Sequence, residues 1–184
     1  STEGGKELIE FSELFIQNIE DYDKLFECVG KEAIDVHVIN TLKKFVGIKC
    51  NRIVVEYPYH DKDFLSTYYC HYSKKFRGFP KKCYRLHIMG ENEIYYGYIV
   101  LRPTVKGTRL GTTYLSPKLL LNEEGYLMLA KYEAHIMNNK QEIYCFPWMK
   151  QEVDISVCAH VAAWTILRYY GNKYHNYADT TMGA

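Results

Sequence analysis

The sequence predicts an α+β fold with helices at its N-terminal end, an antiparallel β-sheet in the middle and a buried C-terminal helix that carries Cys158. Three observations predict it. Apolar residues in the first third recur at helical spacing between acids, residues 83–146 break into short β-branched and aromatic runs separated by Gly, Pro and Asn, and Val161 to Leu167 leave almost no polar face. The chain divides accordingly into a mainly helical region 1–82, an antiparallel β region 83–146 and a last segment 147–184 that opens a further domain.

Residues 1–6 read as an irregular start. Phe11, Phe15, Ile19, Tyr22 and Phe26 then recur at helical spacing, as do Ile34, Val38, Leu42 and Phe45 before Gly47, so two amphipathic helices are expected. Arg52 to Tyr57, β-branched and closed by Pro58, is expected as a strand. Asp61 or Asp63 can cap the next helix, whose stripe is Phe64, Tyr68, Tyr72 and Phe76 before Gly78 and Pro80. Cys83 to Met89 and Tyr95 to Arg102 flank Gly90-Glu91-Asn92 as a hairpin, and Thr108 to Leu115 follows as a strand. Leu127 to Ile136 and Glu142 to Phe146 pair across Asn138-Asn139. The last helix, Cys158 to Tyr170, should be buried nearly all round and stop at Gly171.

Composition narrows the function classes. With 184 residues, 47% hydrophobic and 24% charged, the chain can bury a core without staples. A net charge of +1 argues against global electrostatic attachment to nucleic acid or an anionic membrane. Lys74, Lys75, Arg77, Lys81, Lys82 and Arg85, interleaved with aromatics, form one local basic run, which reads better as a solvated helix edge than as a nucleic-acid surface. Eighteen tyrosines fit strand faces, interfaces or a peptide-accepting groove alike. The six cysteines include no CxxC pair, and no hydrophobic leader opens the chain, so reduced thiols and a cytoplasmic location are expected. No run of apolar residues reaches the length of a membrane span. The histidines His37, His60, His71, His87 and His135 show no ligand spacing; no metal and no cofactor is assigned.

The chemistry concentrates between Gln151 and Gly171. A thiol reacts as its thiolate, and a cysteine at the first turn of a helix is acidified by unpaired backbone N–H groups and the helix dipole. Cys158 is expected there, and a glutamine a few residues upstream, Gln151, is placed to help hold an oxyanion. The bland readings are a buried core cysteine and a solvated amide. His160 lies about 200° round the helix from Cys158, and so packs elsewhere. Asp154 reads as a cap or a solvated loop acid.

The run Gln151-Glu-Val-Asp-Ile-Ser-Val-Cys158-Ala-His-Val-Ala-Ala-Trp-Thr-Ile-Leu-Arg-Tyr-Tyr-Gly171 resembles the nucleophile helix of papain-like cysteine peptidases, nearest the bacterial leader-peptide-processing branch. It is also similar to uncharacterised bacterial proteins in which a strand like Gly97 to Pro103 precedes a helix like Cys158 to Trp164. The resemblance implies a peptidase that attacks a peptide or isopeptide carbonyl, with Cys158 as nucleophile and Gln151 in the oxyanion hole. It also implies a catalytic histidine and its orienting partner on strands far downstream. His175 stands too near the helix for that role, so the chain is expected to stop before the rest of the site, to be inactive on its own and to have a C-terminal half of the same protein among its partners, besides a peptide or protein substrate. Two alternatives remain: a non-catalytic recognition module, and a circularly permuted papain-like enzyme in which His87 or His135 completes the dyad.

Overall fold

The computed structural model describes residues 8–29, 34–67, 69, 82–104, 107–119, 128–148 and 158–174. The fold is α+β. Five strands, β1 (Glu10–Phe15), β2 (Arg52–Tyr59), β3 (Cys83–Met89), β4 (Tyr95–Thr104) and β5 (Gly107–Leu115), form one antiparallel sheet in sequence order. Helices α1 (Leu25–Val29) and α2 (Val36–Phe45) cover one face of it. A hairpin of β6 (Ala130–Ile136) and β7 (Asn139–Cys145) covers part of the other, together with α3 (Lys62–Thr67) and α4 (Cys158–Lys173). Among the described residues no helix is long and apolar enough to cross a membrane.

The period of two along each strand sorts the two faces. Ile53 and Val55, Leu86 and Ile88, and Ile99 and Leu101 point to the helical layer, where they meet Leu25, Val38, Ile39 and Leu42. Their neighbours Glu56, Arg85, His87, Tyr98 and Val100 point to the opposite face. So one face is a plain apolar core, and the other combines aromatics with ion pairs. Two glycines allow close approaches on that second side. A Cβ at Gly97, whose φ is +114°, would run into the Tyr114 carbonyl, and one at Gly111 would strike the Arg102 side chain.

The helix expected from Phe11 to Phe26 is not one helix. Its first part is the edge strand β1, paired from Glu10↔Tyr57 to Phe15↔Arg52, and a 3₁₀ turn at Ile19–Lys24 leads into α1. Spacing of four residues satisfies period two as well as period 3.6, and pairing with β2 decided between them. Since β1 and β2 both belong to the sheet, it begins in the region expected to be mainly helical. α2 forms as expected, with Asp35 accepting from the His37 and Val38 amides at 2.6 and 3.1 Å. Asp61 caps α3 through the Asp63 and Phe64 amides at 3.0 and 3.4 Å. The rest of that expected aromatic stripe, Tyr68, Tyr72 and Phe76, lies outside the described residues, as does most of the basic run.

The β6–β7 turn is Met137-Asn138, both at positive φ (48° and 68°), one residue earlier than expected. α4 continues through Gly171 to Lys173. It seats Trp164 and Tyr169, at 2% and 1% exposure, against the second face, but it is not buried all round as expected: Ile166 and Leu167 are exposed at 53% and 42%.

Candidate functional site

Cys158 is the first residue of α4, the position expected of it. The structure describes the backbone of residues 158–162 and the side chains from Ala163 onward; Gln151, Asp154 and His175 lie outside the described residues.

What fixes α4 is a buried carboxylate. Asp63 accepts from Trp164 Nε1 at 3.2 Å and from Arg168 Nη2 at 3.4 Å, while Arg168 Nε donates to the Tyr114 hydroxyl at 3.0 Å. Burial pushes the Asp63 carboxyl above its ordinary value, against the opposing charge of Arg168. Two residues earlier, Asp61 receives Arg102 Nε at 2.8 Å and Nη2 at 2.6 Å, and Arg102 Nη2 also donates to Thr112 Oγ1 at 3.1 Å. Asp61 and Arg102 are both about 2% exposed or less. The segment Asp61-Lys62-Asp63 thus ties α3 to the sheet with one carboxylate and to α4 with the other.

A second network lies along β2 and β3. Glu56 Oε2 accepts from Arg85 Nε at 2.7 Å and meets His87 Nε2 at 2.9 Å, and His87 Nδ1 lies 3.0 Å from the Tyr95 hydroxyl. Both ring nitrogens of this fully buried histidine are therefore engaged. His135 projects from the outer, exposed side of β6. Burial holds the His87 imidazole below its ordinary value, and Arg85 adds to this against the upward pull of Glu56. Burial raises Glu56 too, but the His87 bond and Arg85 outweigh it and hold that carboxyl low.

These shifts carry a sign. Because His87 takes its proton at lower pH in the folded chain than in the unfolded one, its contribution is intact above the unfolded imidazole value, about 6.5, and is lost as pH falls below it. Glu56 acts in the same direction in the carboxylate range, and Asp63, with its raised value, in the opposite one. The wild-type chain should therefore lose urea stability between about pH 7 and pH 5. His87→Gln, which can still bond Glu56, should lose less over that interval; parallel pH profiles would show that His87 is not the titrating group.

Between α3, the sheet and the second half of α4 lies a cleft of ≈ 880 Å³. Tyr59, Tyr98, Tyr114 and Tyr132 line it with Arg85 and Arg168, and Lys131 and Glu133 of β6 stand at its rim. The tyrosines form a continuous run, Tyr98 to Tyr114 at 5.1 Å and Tyr114 to Tyr132 at 4.5 Å between ring centroids, and Arg85 lies over Tyr59 at 4.2 Å. Burial pushes the Tyr59 phenol up to about 12 and raises those of Tyr98, Tyr114 and Tyr132 as well, so all four are protonated at neutral pH. The tyrosine surplus alone did not decide between such a surface and plain strand faces, and the acids that organise it did not stand out, since Asp61 and Asp63 read from the sequence only as caps.

Four other cysteines have described side chains. Cys50, Cys83 and Cys145 are buried, and Cys28 is half-buried. Burial pushes Cys50 up to about 11 and Cys145 up to about 12, and raises Cys28 as well. Set against protein-family models, curated proteins and solved structures, the chain matches none.

Proposed function

We propose that α4 is the nucleophile helix of a papain-like thiol hydrolase, with Cys158 attacking a peptide or isopeptide carbonyl. The observation that carries this reading is the position of Cys158 as the first residue of a 16-residue helix. At that position unpaired backbone N–H groups and the dipole favour the thiolate, and the Cys158 N–H can share an oxyanion with the Gln151 amide. The thiolate would form an acyl-enzyme as the amine leaves with a proton, and water would release the acid. A neighbouring acid and base is needed for both proton transfers. Of the two upstream histidines that a permuted arrangement would use, His87 is committed to Glu56 and Tyr95, and His135 lies on the exposed side of β6.

Limited iodoacetamide at neutral pH, followed by mass-spectrometric mapping, should label Cys158 ahead of Cys28, Cys50, Cys70, Cys83 and Cys145, with Cys158→Ala as control. First labelling of Cys28 or Cys70 would overturn the nucleophile assignment. Since these 184 residues are expected to be inactive by themselves, peptide hydrolysis by them that disappears in Cys158→Ala would point to the permuted arrangement. A non-catalytic recognition module is the second reading, favoured by the tyrosine-lined cleft, and it would bind peptide with no turnover that depends on Cys158.

A further inference from the structure

The open edge of β6 runs beside the tyrosine-lined cleft, and its hydrogen-bonding phase can be worked out from the hairpin turn. A two-residue turn at Met137-Asn138 makes Ile136↔Asn139 a hydrogen-bonded pair. Alternation then makes Ala134↔Gln141 and Tyr132↔Ile143 bonded pairs as well. Lys131, Glu133 and His135 occupy the non-bonded pairs, so their N–H and C=O groups point away from β7. Two side chains confirm the phase: Asn172 Nδ2 donates to the Lys131 carbonyl, and Arg85 Nη2 to the His135 carbonyl at 3.2 Å.

Between those two anchored carbonyls, the N–H and C=O of Glu133 have no hydrogen-bond partner among the described residues. Lys131 and Glu133 also form the rim of the ≈ 880 Å³ cleft, so a chain running along this edge would have that space beneath it. We propose that the β6 edge accepts an extended peptide as an added strand, in which one residue exchanges both main-chain bonds with Glu133 and an adjacent acidic side chain turns down to Arg85. The residues flanking the one opposite Glu133 would point to the cleft floor. There Arg85 spends Nε and Nη2 on Glu56 and the His135 carbonyl and also hydrogen-bonds the Tyr59 hydroxyl, so an incoming carboxylate would share the guanidinium with these groups. Protonated phenols at Tyr59 and Tyr98 flank that guanidinium. This proposal does not rest on Cys158, because Arg168 is ten residues along α4, about 15 Å from the helix start.

The probes are short fluorescein-labelled peptides alternating valine with glutamate or with lysine, each also made with methylated backbone nitrogens, titrated against the full chain by fluorescence anisotropy. The glutamate peptide should bind and its methylated form should not. Glu133→Pro removes no bond of the β6–β7 ladder, since its N–H points outward, and proline suits an edge strand at such a position; the surface ion pairs to Lys131 and Lys140 that it also removes are lost equally in Glu133→Gln. It should weaken binding roughly tenfold or more, with Glu133→Gln binding like wild type. Failure of the glutamate peptide to bind, or binding indifferent to methylation, overturns strand addition, and equal binding of the lysine peptide overturns the acidic preference. The methylated peptides test wild-type protein, so the proposal stays open to refutation even where Glu133→Pro fails to fold. Peptide binding that survives in Cys158→Ala separates this edge from the thiol.

Discussion

Asp61→Ala is expected to lower the stability of this chain by about 3–5 kcal/mol, the cost of stripping the counter-charge from a buried ion pair. Arg102 is 1% exposed and brings two guanidinium nitrogens to Asp61 at 2.8 and 2.6 Å. Arginine does not shed its proton, so the folded state must hold the charge with fewer partners. The same carboxylate caps α3, which adds about 1 kcal/mol to the loss. Against a domain stability of about 5–15 kcal/mol this is a large fraction. Denaturant unfolding of wild type and Asp61→Ala measures it, with Lys140→Ala as the comparison. That lysine belongs to the exposed lattice of Lys131, Glu133, Lys140 and Glu142, where a pair contributes about 0–1 kcal/mol. Equal midpoints for Asp61→Ala and Lys140→Ala would show that the Asp61–Arg102 pair does not hold the fold together. Asp61→Asn combined with Arg102→Met should recover part of the loss, since the pair then holds no buried charge and the asparagine oxygen can still cap α3.

The strands between Cys83 and Leu115 were legible in the sequence because local chemistry fixes both their ends: Gly90 to Ile94 must turn, and the runs on either side alternate or carry β-branched residues. β1 was not, because Glu10 to Phe15 has no turn signal before it, and its fate depends on β2, some forty residues away. α4 shows a different limit. Its residue types gave its start and its helical state, but not which side would be seated. The side is chosen by Asp63, which offers a carboxylate to an indole N–H and a guanidinium, so Trp164 and Arg168 turn inward and Ile166 and Leu167 outward. Spacing alone places Trp164 and Arg168 one turn apart on a shared face; only the fold supplies the acid opposite them. Glu56, Arg85 and His87 sit likewise on adjacent strands at alternating positions, but their meeting depends on the β2–β3 register, Glu56↔Arg85, which no local pattern encodes.

Trp164→Ala should release α4 from the sheet. Removing a buried indole costs about 3–5 kcal/mol, part of it from the cavity left behind. Asp63 loses a donor in the same step while remaining buried, which lets Arg168 compete with solvent for its place. α4 reaches the rest of the molecule chiefly through β6 and the Asp63 cluster, whereas β2, β3 and β4 are held by their own ladders and by the helical layer, so the loss should fall locally. Hydrogen exchange is the measurement: amides of α4 should exchange about 10²–10³ times faster than in wild type, with those of β3 and β4 little changed. Unchanged protection in α4 would mean that the indole does not seat it. Trp164→Phe separates the two parts of the effect, since it keeps most of the ring volume but removes the N–H, at about 1–3 kcal/mol. If the first turn of α4 acidifies Cys158, fraying that helix should also return the thiol toward the ordinary cysteine value near 8.5. Alkylation of Cys158 against pH, in wild type and Trp164→Ala, would show that as an upward shift of the midpoint, linking the seat of the helix to the reactivity of its first residue.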